Sequence, residues 1–375
     1  MQLLDSLSLQ QSNQISQKLR EVLTDIVKNV EIKPNFSIIH PDYQPFELPA
    51  ESFTRFKNLP EPIKNKYFSL QLQSFLYGIY YNGSMRKSLA LDKQSNNRPI
   101  DLENNTFLGV DLQFYYQLDN NNHGQGYFDL GWLVIKEEDD GLIVTKGDLK
   151  LYIDPDKYLK VSEKNAVVGD SVSIKMPKNL VQNGFYMAVG NQGHQIIKQL
   201  AEQSVTVRIY FNLTPSGAIK IMKSLTEQLN NKEIPFSFKV LYNPEDYQRY
   251  DSGVLYFDKE NYLAVREILG IIYQDYQKYF KPETPLFTLE LAPGLGLAEE
   301  PNQKFFQKES FGMNRCQIIA NGLLEALYQG DDSPEGRMKA ILQEFSQLGI
   351  NLQYSYLNSQ SENIYDQTLI MPKTN

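Results

Sequence analysis

The sequence is poor in the residues that metal and redox chemistry need. Its 375 residues include one cysteine, Cys316, and three histidines, His40, His123 and His194. A single cysteine excludes an intramolecular disulfide and any zinc site built from several thiolates. The histidines are far apart in the chain and none sits in an HExxH-like pattern, so neither a metal nor another cofactor is expected. Long apolar runs are also missing. No stretch approaches the roughly 20 residues of a membrane-spanning helix, and residues 1–17 lack the basic start and apolar run of a signal peptide. The expectation is a soluble, cytoplasmic protein with no membrane partner. A basic excess is absent too: the net charge is −8. That argues against nucleic acid as a partner, because such binding exchanges a net basic surface for phosphate counterions. A local basic pocket remains compatible with it.

What the chain does have is aromatic surface, with 24 tyrosines and 20 phenylalanines. A composition of 41% hydrophobic and 22% charged residues describes a folded, globular protein. The length allows two domains, or one domain with an added layer.

Hydropathy patterning divides the chain into three parts. Residues 1–81 read as helical, with Leu19, Val22, Leu23, Ile26 and Val27 at helical spacing and a second such stretch from Ile63 to Ile79. Residues 82–106 turn polar and asparagine-rich and lose their period, which reads as a loop or junction. Residues 107–375 form an α+β domain. Short aliphatic and aromatic runs between Phe107 and Ile174, broken by Gly and Asp, predict antiparallel strands. Then follow a strand over Val205–Leu213, a helix over Pro215–Asn230, strands over Phe236–Leu241 and Val254–Phe257, and a helix over Asn261–Phe280. A strand at Phe287–Leu291 runs into the Pro293–Gly296 turn, and two helices close the chain. The fold class is therefore α+β, a mixed, largely antiparallel sheet flanked by helices, with a helical N-terminal region.

Polar residues at strand positions draw attention to Arg208–Tyr256. In VRIYFNL, Arg208, Tyr210 and Asn212 share one face, because side chains alternate along a strand. In FSFKVL, Lys239 stands among apolar neighbours. A desolvated lysine there supplies the neutral amine of a base, whereas a lysine at a strand edge snorkels to water. Arg208, Arg249 and Arg315 carry the planar donor forks that match phosphate oxygens; each alone also fits an ordinary ion pair. Arg315 lies one turn inside a helix that Ser310 caps, where an anion is favoured. LAPGLGLAEEP lacks the Lys-Ser/Thr tail of a phosphate loop and reads as a tight turn. Cys316, flanked by Ile318 and Ile319, reads as core.

The run VRIYFNLTPSGAIKIMKSLTEQLNNKEIPFSFKVLYNPEDYQRYDSGVLYF, with FTLELAPGLGLAEEP and SFGMNRCQIIANGL after it and GYFDLGWLVIKEEDDGLIVTKGDLKLYI and NGFYMAVGNQG before it, resembles the Hop-type effector-like lyases. These act beside a separate kinase in lanthipeptide and thioamide-peptide biosynthesis, and the resemblance spans about residues 107–345. They are similar in turn to effector phosphothreonine lyases. The resemblance implies elimination of phosphate from phosphoserine or phosphothreonine in a precursor peptide, without a cofactor, and a separate Ser/Thr kinase as partner. By position it makes Lys239 the general base, Tyr256 its neighbour, and Arg208, Arg249 and Arg315 the phosphate contacts. Tyr210 stands where the effector motif has the histidine that protonates the leaving phosphate. That departure admits another expectation, a module that binds a phosphopeptide or kinase without turning it over.

Overall fold

The computed structural model describes residues 16–33, 37–47, 59–91, 109–138, 140–193 and 205–365. His194 and most of the expected 82–106 junction lie outside them.

The N-terminal region begins with helix α1 (Gln17–Asn29), whose apolar stripe of Leu19, Leu23, Ile26 and Val27 is buried. Ser16 accepts a capping hydrogen bond from the Leu19 amide. A small antiparallel sheet follows, β1 (Glu31–Ile32), β2 (Ile38–His40) and β3 (Tyr43–Phe46). A mainly helical region had been expected here; strands this short leave no alternation to detect. Helix α2 (Glu61–Leu76) then widens into a π turn over Tyr77–Tyr81. Helix α3 (Leu112–Asn121) lies where strands had been expected. Its sequence signal is the Asp111 cap followed by Phe114 and Leu118, which are buried one turn apart.

Strands β4 (Tyr127–Glu138), β5 (Gly141–Lys146), β6 (Leu149–Ile153) and β7 (Ser171–Met176) form a four-stranded sheet in the order β6-β5-β4-β7, with the one-turn helix α4 (Pro155–Tyr158) between β6 and β7. Trp132, Val134, Leu142, Val144, Ile153, Leu159, Val172 and Ile174 give it a small core of its own.

The central sheet has seven strands in the order β13-β14-β10-β12-β11-β9-β8. These are β8 (Asn179–Gln182), β9 (Phe185–Val189), β10 (Thr206–Phe211), β11 (Phe236–Leu241), β12 (Gly253–Asp258), β13 (Leu289–Ala292) and β14 (Leu295–Glu299). Every neighbouring pair is antiparallel. β10 and β11 are therefore parallel across β12, joined by helix α5 (Pro215–Asn231). One sheet face is largely apolar, with Val207, Ile209, Phe211, Phe236, Phe238, Val240, Leu255 and Phe257 all buried, and Glu299, opposite Val207, is a buried carboxylate on it. α5 packs against β11 and against helix α6 (Tyr262–Tyr276); its Ala218, Ile221, Met222, Leu225 and Leu229 make the buried stripe.

The Pro293–Gly296 turn is a hairpin between β13 and β14. Gly294 has φ +77°, and a Cβ there would meet the Lys281 carbonyl oxygen at 2.1 Å. The glycine thus serves chain geometry.

Helices α7 (Phe311–Tyr328) and α8 (Pro334–Gln347) pack on each other, α7 also on α2 and the π turn, and α8 on α1. A single buried cluster runs from Leu19 to Tyr365. Residues 16–32 and 68–81 belong to the same core as the central sheet.

Candidate functional site

The second face of the central sheet carries the polar residues. Register places Arg208 opposite Tyr256, and Tyr210 and Lys239 both opposite Val254. Because cross-strand partners share a face, Arg208, Tyr210, Lys239 and Tyr256 emerge side by side. On β9, Met187 is paired with Lys239 and Phe185 lies two residues away on the same face.

Cations and rings alternate across these strands. The Arg208 guanidinium lies 5.0 Å from the centroid of the Tyr256 ring, and the Lys239 ammonium 5.6 Å from the same ring. Lys239 is also 4.5 Å from the Phe185 ring, which the Arg249 guanidinium approaches to 5.7 Å. Three positive groups are thus interleaved by two aromatic faces, a favourable arrangement for the ring quadrupoles. Each end is closed by a carboxylate. Arg208 pairs with Glu300, which also accepts from Lys304 at 2.5 Å. Arg249 forms a two-point pair with Asp251 at 2.5 and 2.8 Å. Lys239, in the middle, is half-buried; its ammonium donates to Gln182 Oε1 at 3.5 Å and pairs with no carboxylate among the described residues. An incoming anion therefore meets its least compensated positive charge at Lys239.

Asp251 is a node. Besides Arg249 it accepts from Asn82 Nδ2 at 3.2 Å and from the Tyr77 hydroxyl at 3.2 Å. Burial disfavours its charge, but Arg249 and Asn82 outweigh burial and hold its carboxyl below the usual range. Burial likewise opposes the charge of Arg249, and Asp251 raises that group above its ordinary value.

Tyr210 is 2% exposed. Its ring meets Tyr81 edge-on, with centroids 6.4 Å apart, and the Phe311 ring at 6.4 Å. Burial pushes its phenol up, against the pull of Arg208. The hydroxyls of Tyr210 and Tyr81 are both buried without a hydrogen-bond partner among the described residues. Tyr81 stacks on Tyr77 at 4.9 Å, so the π turn reaches Asp251 through one tyrosine and Tyr210 through the other. A helix glycine permits this approach, since a Cβ on Gly312 would lie 2.3 Å from the Tyr81 ring. π turns often mark functional positions.

Arg315 is placed differently. It is 1% exposed, and its guanidinium donates to the Ser355 carbonyl at 2.9 Å, the Leu357 carbonyl at 2.9 Å and Asn314 Oδ1 at 2.6 Å. Burial pushes its pKa down to about 10. The helix start accounts for its position, but its donors tie down the C-terminal segment instead of facing an open anion site. Cys316 is buried as expected, which raises its thiol pKa.

The structure thus brings together Arg208, Tyr210, Lys239, Tyr256 and Arg249, and sets Arg315 apart. It adds Tyr77, Tyr81, Asp251, Glu300 and Phe185, which sequence patterning did not single out. Among the described residues, no group of three or more His, Cys, Asp and Glu side chains is placed to hold a metal ion. None of the described helices is long and apolar enough to cross a membrane.

A mixed α+β protein with one sheet face of alternating cations and rings is what this arrangement defines. Residues 176–357 match the sequence model of the HopA1 effector protein family. That segment holds all six residues singled out from the sequence and leaves out Tyr77 and Tyr81. Among solved structures, the effector protein from Pseudomonas syringae pv. tomato strain DC3000 is 16% identical, with a TM-score of 0.43 over 82% of this chain and 94% of its own. The effector protein from Pseudomonas syringae pv. syringae strain 61 is 14% identical, with a TM-score of 0.41 over 79% and 98%. No curated protein matches the sequence.

Proposed function

We propose that the chain is a phosphoserine/phosphothreonine lyase, which eliminates phosphate from a kinase-phosphorylated precursor peptide in ribosomal peptide maturation. The observation that carries this reading is Lys239, which pairs with no carboxylate among the described residues and is set between two rings and flanked by Arg208 and Arg249. The phosphate oxygens take up donors of the two arginines as Glu300 and Asp251 give way, which leaves Lys239 for the proton on Cα.

In the elimination, the Lys239 amine in its neutral form removes the proton on Cα, and the pair of electrons from that C–H bond forms the Cα=Cβ double bond. The Cβ–O bond breaks, and phosphate leaves with its electrons. Arginines placed where charge grows on the bridging oxygen lower the barrier, because they act more strongly on the departing group than on the bound ester. Tyr210, kept protonated by burial, supplies the proton to the leaving phosphate. The products are dehydroalanine or dehydrobutyrine and inorganic phosphate. Location in the cytoplasm and a separate Ser/Thr kinase that prepares the substrate complete this reading.

The test is incubation of the purified protein with a phosphothreonine peptide, followed by mass spectrometry. Wild type releases phosphoric acid from the peptide, and Lys239→Ala slows this by a factor of about 10²–10⁴, the usual contribution of a positioned base. Undiminished elimination by the variant removes Lys239 from the role.

A second reading, a module that binds a phosphopeptide or kinase without turnover, is favoured by one observation. Both arginines already hold carboxylates, and the Tyr210 hydroxyl is buried. Binding of the phosphopeptide with no dehydrated product selects it.

A further inference from the structure

Two hollows adjoin the cationic face. One of about 610 Å³ begins at Phe185 and Arg249, the end of the alternating row, and the other, of about 490 Å³, extends to Lys281. They share Lys87, Glu245 and Gln248 in their walls and together make a groove. A peptide whose phosphorylated side chain lies over Lys239 has its neighbouring residues directed into that groove, because Phe185 lies against Lys239 and also lines the first hollow. The charges along it are unequally engaged. Lys281 donates its ammonium to the Tyr247 carbonyl, and Asp246 accepts from Asn243 at 3.3 Å. Lys87 is exposed, belongs to both hollows and has no acidic partner among the described residues.

We propose that the groove takes the stretch of phosphopeptide flanking the modified residue, and that Lys87 selects an acidic side chain in that stretch. This rests on the phosphopeptide reading and names the sequence preference of the same site. Lys87 lies outside the alternating row and makes no hydrogen bond, ion pair or ring contact with its members among the described residues, so its replacement alters preference while Lys239 and the arginines stay in place.

The experiment measures equilibrium binding of short fluorescent peptides in which a phosphonate, with CH2 in place of the bridging oxygen, cannot be eliminated. The residues flanking the phosphonate are Glu, Ala or Lys. Wild type binds the Glu-flanked peptide about two- to fivefold more tightly than the Ala-flanked one, the range of a partly exposed ion pair. Lys87→Glu reverses the order in favour of the Lys-flanked peptide. Identical preferences in wild type and Lys87→Glu overturn the proposal, as does failure to bind any of the peptides. If unphosphorylated peptides bind as tightly as the phosphonates while the preference still follows Lys87, the groove stands and the phosphate reading falls.

Discussion

Tyr81 and Tyr210 meet edge to face with ring centroids 6.4 Å apart, one from a π turn near residue 80 and the other from the sheet. Both hydroxyls are buried without a partner among the described residues. A buried polar atom left unbonded costs about 1–3 kcal/mol. Tyr81→Phe and Tyr210→Phe therefore keep or raise the melting temperature, while Tyr210→Phe lowers kcat for phosphopeptide elimination by roughly a hundredfold. Thermal melts paired with single-turnover assays check this, and equal kcat in wild type and Tyr210→Phe removes Tyr210 as the proton donor.

Arg315 and Arg208 separate by the kind of damage their loss causes. Arg315→Ala strands the Ser355 and Leu357 carbonyls and destabilises the fold by on the order of 3 kcal/mol. Arg208→Ala weakens phosphonate-peptide binding. Denaturant unfolding and peptide titration of both variants distinguish these outcomes; a stable Arg315→Ala that fails only in binding would return Arg315 to the phosphate site.

Asp251 makes stability sensitive to acid. Its carboxyl is held below the usual range in the folded state, so the stabilisation is fully present above the unfolded value, near 3.9. It is lost as pH falls through the lower, folded value. Asp251→Asn leaves the half-buried Arg249 without its counter-charge and costs at most about 3–5 kcal/mol at pH 7. It also flattens the loss of stability below pH 4. Urea unfolding across pH 3–7 reads both effects.

Strand alternation made half of the site legible. Once VRIYFNL and FSFKVL are strands, Arg208 with Tyr210 on one and Lys239 on the other follow from period two, and the β12 register adds Tyr256. Tyr77 and Tyr81 were not legible, because five residues that continue a helix do not announce a π turn, and their partners lie far along the chain. Nor did helical spacing reveal where the Arg315 donors go: the carbonyls they meet, 40 and 42 residues later, belong to an irregular segment. Glu300 and Asp251 were invisible as counter-charges for the same reason, since pairing across strands and loops leaves no local pattern. Helix α3 carried a cap and an apolar pair that a strand-based reading of its aromatic residues passed over.

The carboxylates that close the two ends of the alternating row also confine its reach. Glu300 and Asp251 neutralise the outer arginines, while the chain as a whole carries a net charge of −8. An acidic phosphopeptide is therefore repelled at a distance and attracted only within a Debye length of about 8 Å at physiological ionic strength. Encounter and capture then respond to salt in opposite directions: added salt eases the approach by screening the global repulsion and weakens the final pairing with the arginines.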